Sequence, residues 1–244
     1  MIRVAAALFV LLTCTRAPPP GRAAYPEAEL DPRWRALVAK GPALLARDAI
    51  PLATACPAPE TLLREAHSLA TLEASRTPAD VARIRSEVGD LVPLFLKVVG
   101  HTRTSAPALA RALDEAIAEV DYFLFAEKIA LMCPRPHHVL PSLRPAIPVP
   151  RHPAYPSGHG GEAMVLAAVA AMVYPEHAEA LQELARGVAG RRELAGVHFA
   201  SDSAEGRRIG AAVAEALSKA RWPALERARN TAKQPRKAAE TIAR

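Results

Sequence analysis

Eight of the chain's 23 prolines fall within one short stretch, at Pro134, Pro136, Pro141, Pro145, Pro148, Pro150, Pro153 and Pro156. Each removes a backbone N–H and fixes φ, so neither an interior helix nor a central strand can run through this region. The stretch is therefore a loop from residue 134 to Ser157, bounded on both sides by apolar runs with helical spacing. A loop of this length inside a compact domain is uncommon and usually functional. It ends in Tyr155-Pro156-Ser157-Gly158-His159-Gly160-Gly161, ahead of the alanine-rich run Ala163 to Tyr174. Small residues leading into a helix gather unpaired N–H groups at the positive end of its dipole, a corner that binds anions. His159 puts a proton donor at that corner.

The flanking sequence is helical in character. Half the residues are hydrophobic and only 5% aromatic, which favours helix over sheet, and 244 residues suffice for one all-α domain with short extensions. Residues 24–59, broken by prolines, read as a loose lead-in with a short helix around Trp34 to Leu45. Leu62, Leu63, Ala66, Leu69 and Leu72 mark the first helical face. Thr77-Pro78-Ala79-Asp80 announces a helix running to about Val99. Leu109, Leu113, Ala116, Ile117, Val120, Phe123 and Leu124 give the buried face of a long helix toward Met132, with Lys128 near its end. Ala178, Leu181, Leu184 and Val188 form the next. Ile209, Val213, Ala216 and Leu217 close a domain expected over 60–222, followed by a basic tail at 223–244.

The N-terminus carries an export address at 1–23: Arg3, an apolar Val4 to Leu12, and Gly21-Arg22-Ala23 as the cleavage region. Leu11-Leu12-Thr13-Cys14 offers the competing reading of a lipid anchor at Cys14. The apolar run is too short to span a membrane, so the mature protein is expected to be periplasmic or secreted. Cys56 and Cys133 then form an even pair, compatible with one disulfide in an oxidising compartment or with two separate thiols. The net charge of +6 gathers partly in the tail, without the interleaved aromatics of a nucleic-acid site. No metal site is expected, because neither His-x-x-x-His nor Cys-x-x-Cys spacing occurs. His137, His138 and His152 read as loop histidines near the pocket mouth.

Three groups stand at helix breaks: Lys128 with Arg135-Pro136, Ser157-Gly158-His159, and Arg192 with His198 and Asp202. Brought to one end of a bundle, they supply cations, amide and hydroxyl donors, two imidazoles and a carboxylate, an inventory suited to phosphoryl transfer. Lys128, six residues, then Arg135-Pro136; Pro156-Ser157-Gly158-His159; and Arg192, five residues, His198, three residues, Asp202 resemble the three-part signature of the type 2 phosphatidic acid phosphatase superfamily. Soluble bacterial class A acid phosphatases are the most similar in outline, with vanadium haloperoxidases as relatives. The third motif departs from the family at Arg191, where a serine is usual.

That resemblance implies a single helical-bundle domain with its active site in the interhelical loops. It makes His198 the nucleophile, Asp202 its orienting carboxylate and His159 the acid and base. Lys128, Arg135, Ser157, Gly158 and Arg192 would bind the phosphoryl oxygens. The expected activity is a metal-independent acid phosphatase that works on a small phosphorylated substrate through a phosphohistidine, with no cofactor. A vanadium-dependent haloperoxidase, or a lipid or pyrophosphate phosphatase, is the alternative. Homo-oligomerisation stays open.

Overall fold

The computed structural model describes residues 24–233, so the export segment, Cys14 and the end of the basic tail lie outside the described residues. Proline occupies the first turn of six of the ten α-helices among those residues. Its missing N–H has no intrahelical partner to lose there, and its φ is already helical. Among the described residues there are no strands.

In chain order, α1 (Arg33–Lys40) ends at Gly41, and α2 (Pro59–Ser75) buries Leu62, Ala66 and Leu69 while Leu63 and Leu72 face solvent. Thr77 and Asp80 form a reciprocal capping box that opens α3 (Pro78–Ser86). The continuous helix expected from Thr77 to about Val99 is instead two. Glu87 turns inward and is buried, Asp90 Oδ1 accepts the Val92 N–H at 2.9 Å, and α4 (Val92–Val98) restarts with Pro93 in its first turn. Proline there cannot continue a helix from upstream, because its ring collides with the carbonyl four residues back.

The long helix α5 (Pro107–Leu131) follows, ending at Met132 in the left-handed region. One turn, α6 (Pro136–Val139), interrupts the proline-rich loop. The central motif is itself the start of α7 (Gly158–Ala171), with Ser157 as N-cap. Then come α8 (Ala178–Leu194), α9 (Ala200–Lys219) and α10 (Pro223–Ala232). This last helix corrects the expected tail: Trp222, Ala224, Leu225 and Ala228 are buried, and α10 packs on α5. The proline-rich lead-in is likewise packed rather than loose, with Tyr25, Leu30 and Ile50 buried.

The core lies among α5, α7, α8 and α9, with α7 packed most closely on α9 and α8. The α7–α9 crossing is built on glycine. A Cβ on Gly206 would run into the Ser157 carbonyl, one on Gly210 into the Gly161 carbonyl, and one on Gly161 would lie 2.8 Å from the Leu124 side chain. The backbones therefore approach more closely than any larger residue allows. The Ser157 N–H donates to the Asp202 carbonyl at 2.8 Å across this crossing, fixing the N-terminus of α7 to the first turn of α9.

Candidate active site

His198 sits in the turn between α8 and α9, almost wholly buried. Its Nδ1 is 3.0 Å from Asp202 Oδ2, and the same oxygen accepts the Phe199 N–H at 2.9 Å. Asp202 thus occupies the first turn of α9, where the helix dipole favours a carboxylate, and orients the ring as well. Arg135 Nη1 lies 3.1 Å from His198 Nε2. A guanidinium can only donate, so Nε2 is the accepting nitrogen and Nδ1 carries the proton given to Asp202. Burial, reinforced by the charges of Arg135 and Lys128, holds His198 well below its ordinary pKa and keeps the ring neutral. Burial lifts the Asp202 carboxyl to about 7, opposed by the Phe199 amide and the same two cations.

The cations divide by position. A loop with eight prolines is poor in N–H donors, and its buried carbonyls must find partners elsewhere. Lys128, fully buried, donates to the carbonyls of Pro153 and Ala154 at 2.9 Å each and to that of Pro156. Arg135 Nε donates to the His152 carbonyl at 2.9 Å, and Nη1 to Val197 at 2.7 Å. Arg192 Nη2 donates to the Ile84 carbonyl at 2.9 Å, while its Nε is buried with no hydrogen-bond partner.

A cavity of about 350 Å³ opens here, lined by Gly158, His159, Arg192 and His198 among others. Of the sequence-predicted residues these four reach its surface. Lys128, Arg135, Ser157 and Asp202 stand behind that wall and hold it: Ser157 Oγ accepts the Gly160 N–H at 3.2 Å as a cap. His159 Nε2 is 3.0 Å from the Glu87 carbonyl, to which it donates, leaving Nδ1 as the nitrogen that gains and loses a proton.

Apart from His152 and the loop prolines, the remaining lining was not singled out by sequence. Asp121 and Glu162 both face the cavity, as do Trp34 and Phe125, whose rings stack at 3.9 Å. Two of these carried a readable signal: Asp121 precedes Lys128 by two helical turns, and Glu162 follows Gly158 by one. Trp34 carried none. His152, read as a loop histidine near the pocket mouth, does line the cavity, but it is packed against Phe125 and Trp34, and its Nδ1 lies 2.9 Å from Arg135 Nη2. Arg191 neither enters the cavity nor faces solvent freely, since its Nε pairs with the buried Glu87 at 2.7 Å.

Glu29, His137 and His138 bring one ligand atom each within 4.8 Å of one another. His138 Nδ1 accepts the Arg135 N–H at 3.2 Å, so its Nε2 bears the proton donated to Glu29 at 3.1 Å. A metal at that nitrogen would displace the proton and break the Arg135 bond, and the group fits a hydrogen-bonded brace better.

Residues 107–225 match the model of the PAP2 superfamily. That region is a PAP2-superfamily domain. A bacterial vanadium-dependent iodoperoxidase superposes on the structure with a TM-score of 0.58 at 16% identity, over 84% of this chain and 61% of that one. The two share the fold, and the chain described here spans 61% of that enzyme's length. A transmembrane PAP2-type phosphatidylglycerolphosphate phosphatase from Bacillus subtilis superposes more loosely, with a TM-score of 0.40 at 16% identity over 65% of this chain and 94% of the other. No curated protein sequence matches the chain. The matched PAP2 region holds all three motifs, whereas Trp34, Cys56 and Glu87 lie upstream of it.

Proposed function

We propose that the protein is an exported, metal-independent acid phosphatase that hydrolyses phosphate monoesters through a phosphohistidine. The observation that carries this reading is His198, a neutral ring beside the cavity fixed between Asp202 at Nδ1 and Arg135 at Nε2, whose Nε2 lone pair becomes the nucleophile when the incoming phosphoryl group takes the place of the Arg135 bond. Nε2 attacks phosphorus while the ester P–O bond breaks and its electron pair leaves with the alkoxide. His159 Nδ1 gives that alkoxide its proton. In the second half-reaction His159 takes a proton from water, the hydroxide attacks phosphorus, and the P–N bond breaks to return the lone pair to Nε2. Arg192, the Gly158 N–H and the start of α7 face the transferring oxygens, with Lys128 and Arg135 adding field from behind.

A cavity of about 350 Å³ accommodates a phosphoryl group with a compact leaving group, which suits a small phosphorylated substrate rather than nucleic acid. Export is supported by the signal-like N-terminus and by the disulfide that Cys56 and Cys133 form, a bond that persists in oxidising compartments. No helix among the described residues is long and apolar enough to cross a membrane. The same donors would also cradle vanadate, another tetrahedral anion, and the iodoperoxidase that shares the fold is vanadium-dependent.

The deciding experiment is phosphate release from p-nitrophenyl phosphate at pH ~5–6 with EDTA present. Turnover that His198→Ala abolishes is expected. Halide oxidation that requires added vanadate, without ester hydrolysis, would overturn the proposal. A panel of lipid phosphates and pyrophosphate in the same assay separates the monoesterase from those relatives.

A further inference from the structure

The two histidines of the site are oriented in different ways. His198 has Asp202 at hydrogen-bond distance, and its role as nucleophile needs nothing more. His159 is anchored at Nε2 by the Glu87 carbonyl, and its proton-carrying Nδ1 faces Glu162 Oε2 at 3.6 Å. That separation is too long for a hydrogen bond and short enough for an ion pair once Nδ1 is protonated. A leaving-group oxygen can therefore take the Nδ1 proton without competing for a bond already made.

Glu162 is in turn held from behind. It follows Gly158 by one turn of α7 and leans back over it, so that a Cβ at Gly158 would lie 3.4 Å from Glu162 Oε1. Asp121, on the neighbouring face of α5, is hydrogen-bonded to Glu162 and points into the same cavity. Its Oδ1 is buried with no hydrogen-bond partner. Two carboxyl groups bonded to each other must share a proton, since two carboxylates would only repel. Burial and the neighbouring Glu162 charge raise the Asp121 pKa well above the usual carboxylate range, with the Lys128 charge opposing. Asp121 is accordingly the partner that keeps the proton. It donates its O–H to Glu162, and as a neutral acid it is far less costly to bury than a second carboxylate.

We infer that Glu162, held in place by Asp121, is a positioning residue for proton transfer at His159: it supplies the opposite charge to the imidazolium and aims Nδ1 at the departing oxygen. This rests on the phosphatase reading above and adds a member to its proton-transfer step. The balance of that step is unchanged. The Nδ1 proton passes to the ester oxygen as the P–O electron pair arrives there, and neither carboxyl group gains or loses a proton. A carboxylate beside an anion-binding corner otherwise opposes substrate binding, so its presence calls for a compensating role.

The test uses leaving groups of different basicity. Dinitrophenolate departs without a proton, whereas phenolate needs one, so a defect confined to acid catalysis falls on phenyl phosphate and spares dinitrophenyl phosphate in part. Glu162→Gln, which keeps shape and removes charge, should lower kcat/KM for phenyl phosphate by a factor about tenfold or more larger than for dinitrophenyl phosphate. Asp121→Ala, which removes the donor to Glu162, should reproduce that pattern, and Asp121→Asn, which still donates, should restore most of the lost selectivity. Circular dichroism melts of each variant confirm that it is folded, and the isosteric Glu162→Gln carries the test if Asp121→Ala is not. Equal losses on both esters, or no loss in Glu162→Gln, would overturn the inference while leaving the phosphatase reading intact. Failure of the unaltered protein to hydrolyse either ester would overturn that reading, and the inference with it.

Discussion

Lys128 shows how a charged residue can be fixed by what its neighbours lack. Prolines at 150, 153 and 156 offer carbonyls and no N–H groups, and the three Lys128 protons satisfy the carbonyls of Pro153, Ala154 and Pro156. Burial, aided by the Arg135 charge, pushes its pKa well below the usual lysine value. Lys128→Met would leave those carbonyls unpaired in the interior, each at roughly 1–3 kcal/mol. We expect urea unfolding to show a loss of about 3 kcal/mol or more, with turnover falling because the loop no longer places Ser157 and Gly158. The motif spacing made Lys128, Arg135 and His198 legible as a set. Which of them would face the cavity was not, because that depends on where a twenty-odd-residue loop finds its hydrogen-bond donors, and spacing along one chain carries no record of it.

At the scale of elements, the helix start at Thr77-Pro78 was readable from its capping box, whereas proline alone in the first turn of α4, α6 and α10 did not reveal those helices. The misread boundaries share a cause. The break between α3 and α4 is held open by Glu87, whose partners include Arg191 from α8 at 2.7 Å, and α10 is fixed by packing on α5 and by the Trp222 Nε1–H donated to Glu115 at 2.7 Å. Both depend on contacts distant in sequence. The glycine crossing of α7 and α9 makes a sharper prediction. Gly206→Ala puts a methyl against the Ser157 carbonyl, so it should destabilise by about 1–3 kcal/mol and lower kcat/KM. Gly190→Ala is the matched control, for nothing lies within 4 Å of its added methyl in the interior of α8. There thermal melting should show unchanged or slightly raised stability, since alanine is the better helix former.

Across the whole molecule, the lead-in is fastened along the C-terminal half of α5 and the residues that follow it. Tyr25 N–H donates to the Met132 carbonyl at 2.7 Å, and Glu119 Oε1 accepts the amides of Ala43 and Leu44 at 2.5 and 2.6 Å. Glu127 Oε2 accepts the Ala53 N–H at 2.8 Å, and Cys56 is bonded to Cys133. Burial lifts Glu127 from its ordinary 4.5 to about 7. Between those values the folded chain holds a proton that the unfolded chain has released, so the stability present in acid is lost as pH rises through that window and the loss is constant above it. Glu127→Gln, which still accepts the Ala53 amide, should therefore melt higher than the parent at pH ~8 and equally at pH ~4. Neither the fastening nor the cavity wall at Trp34 was visible in residues 24–59, whose prolines conceal any period that would mark a face.

The bond from Cys56 to Cys133 also sets a limit on how this domain can be dissected. Cutting the polypeptide back to the family-matched residues 107–225 would strip the indole from one side of the cavity and leave a lone reactive sulfur two positions from Arg135. Such an excised piece would couple to its own copies through that sulfur, so the smallest unit worth purifying begins upstream, near Tyr25.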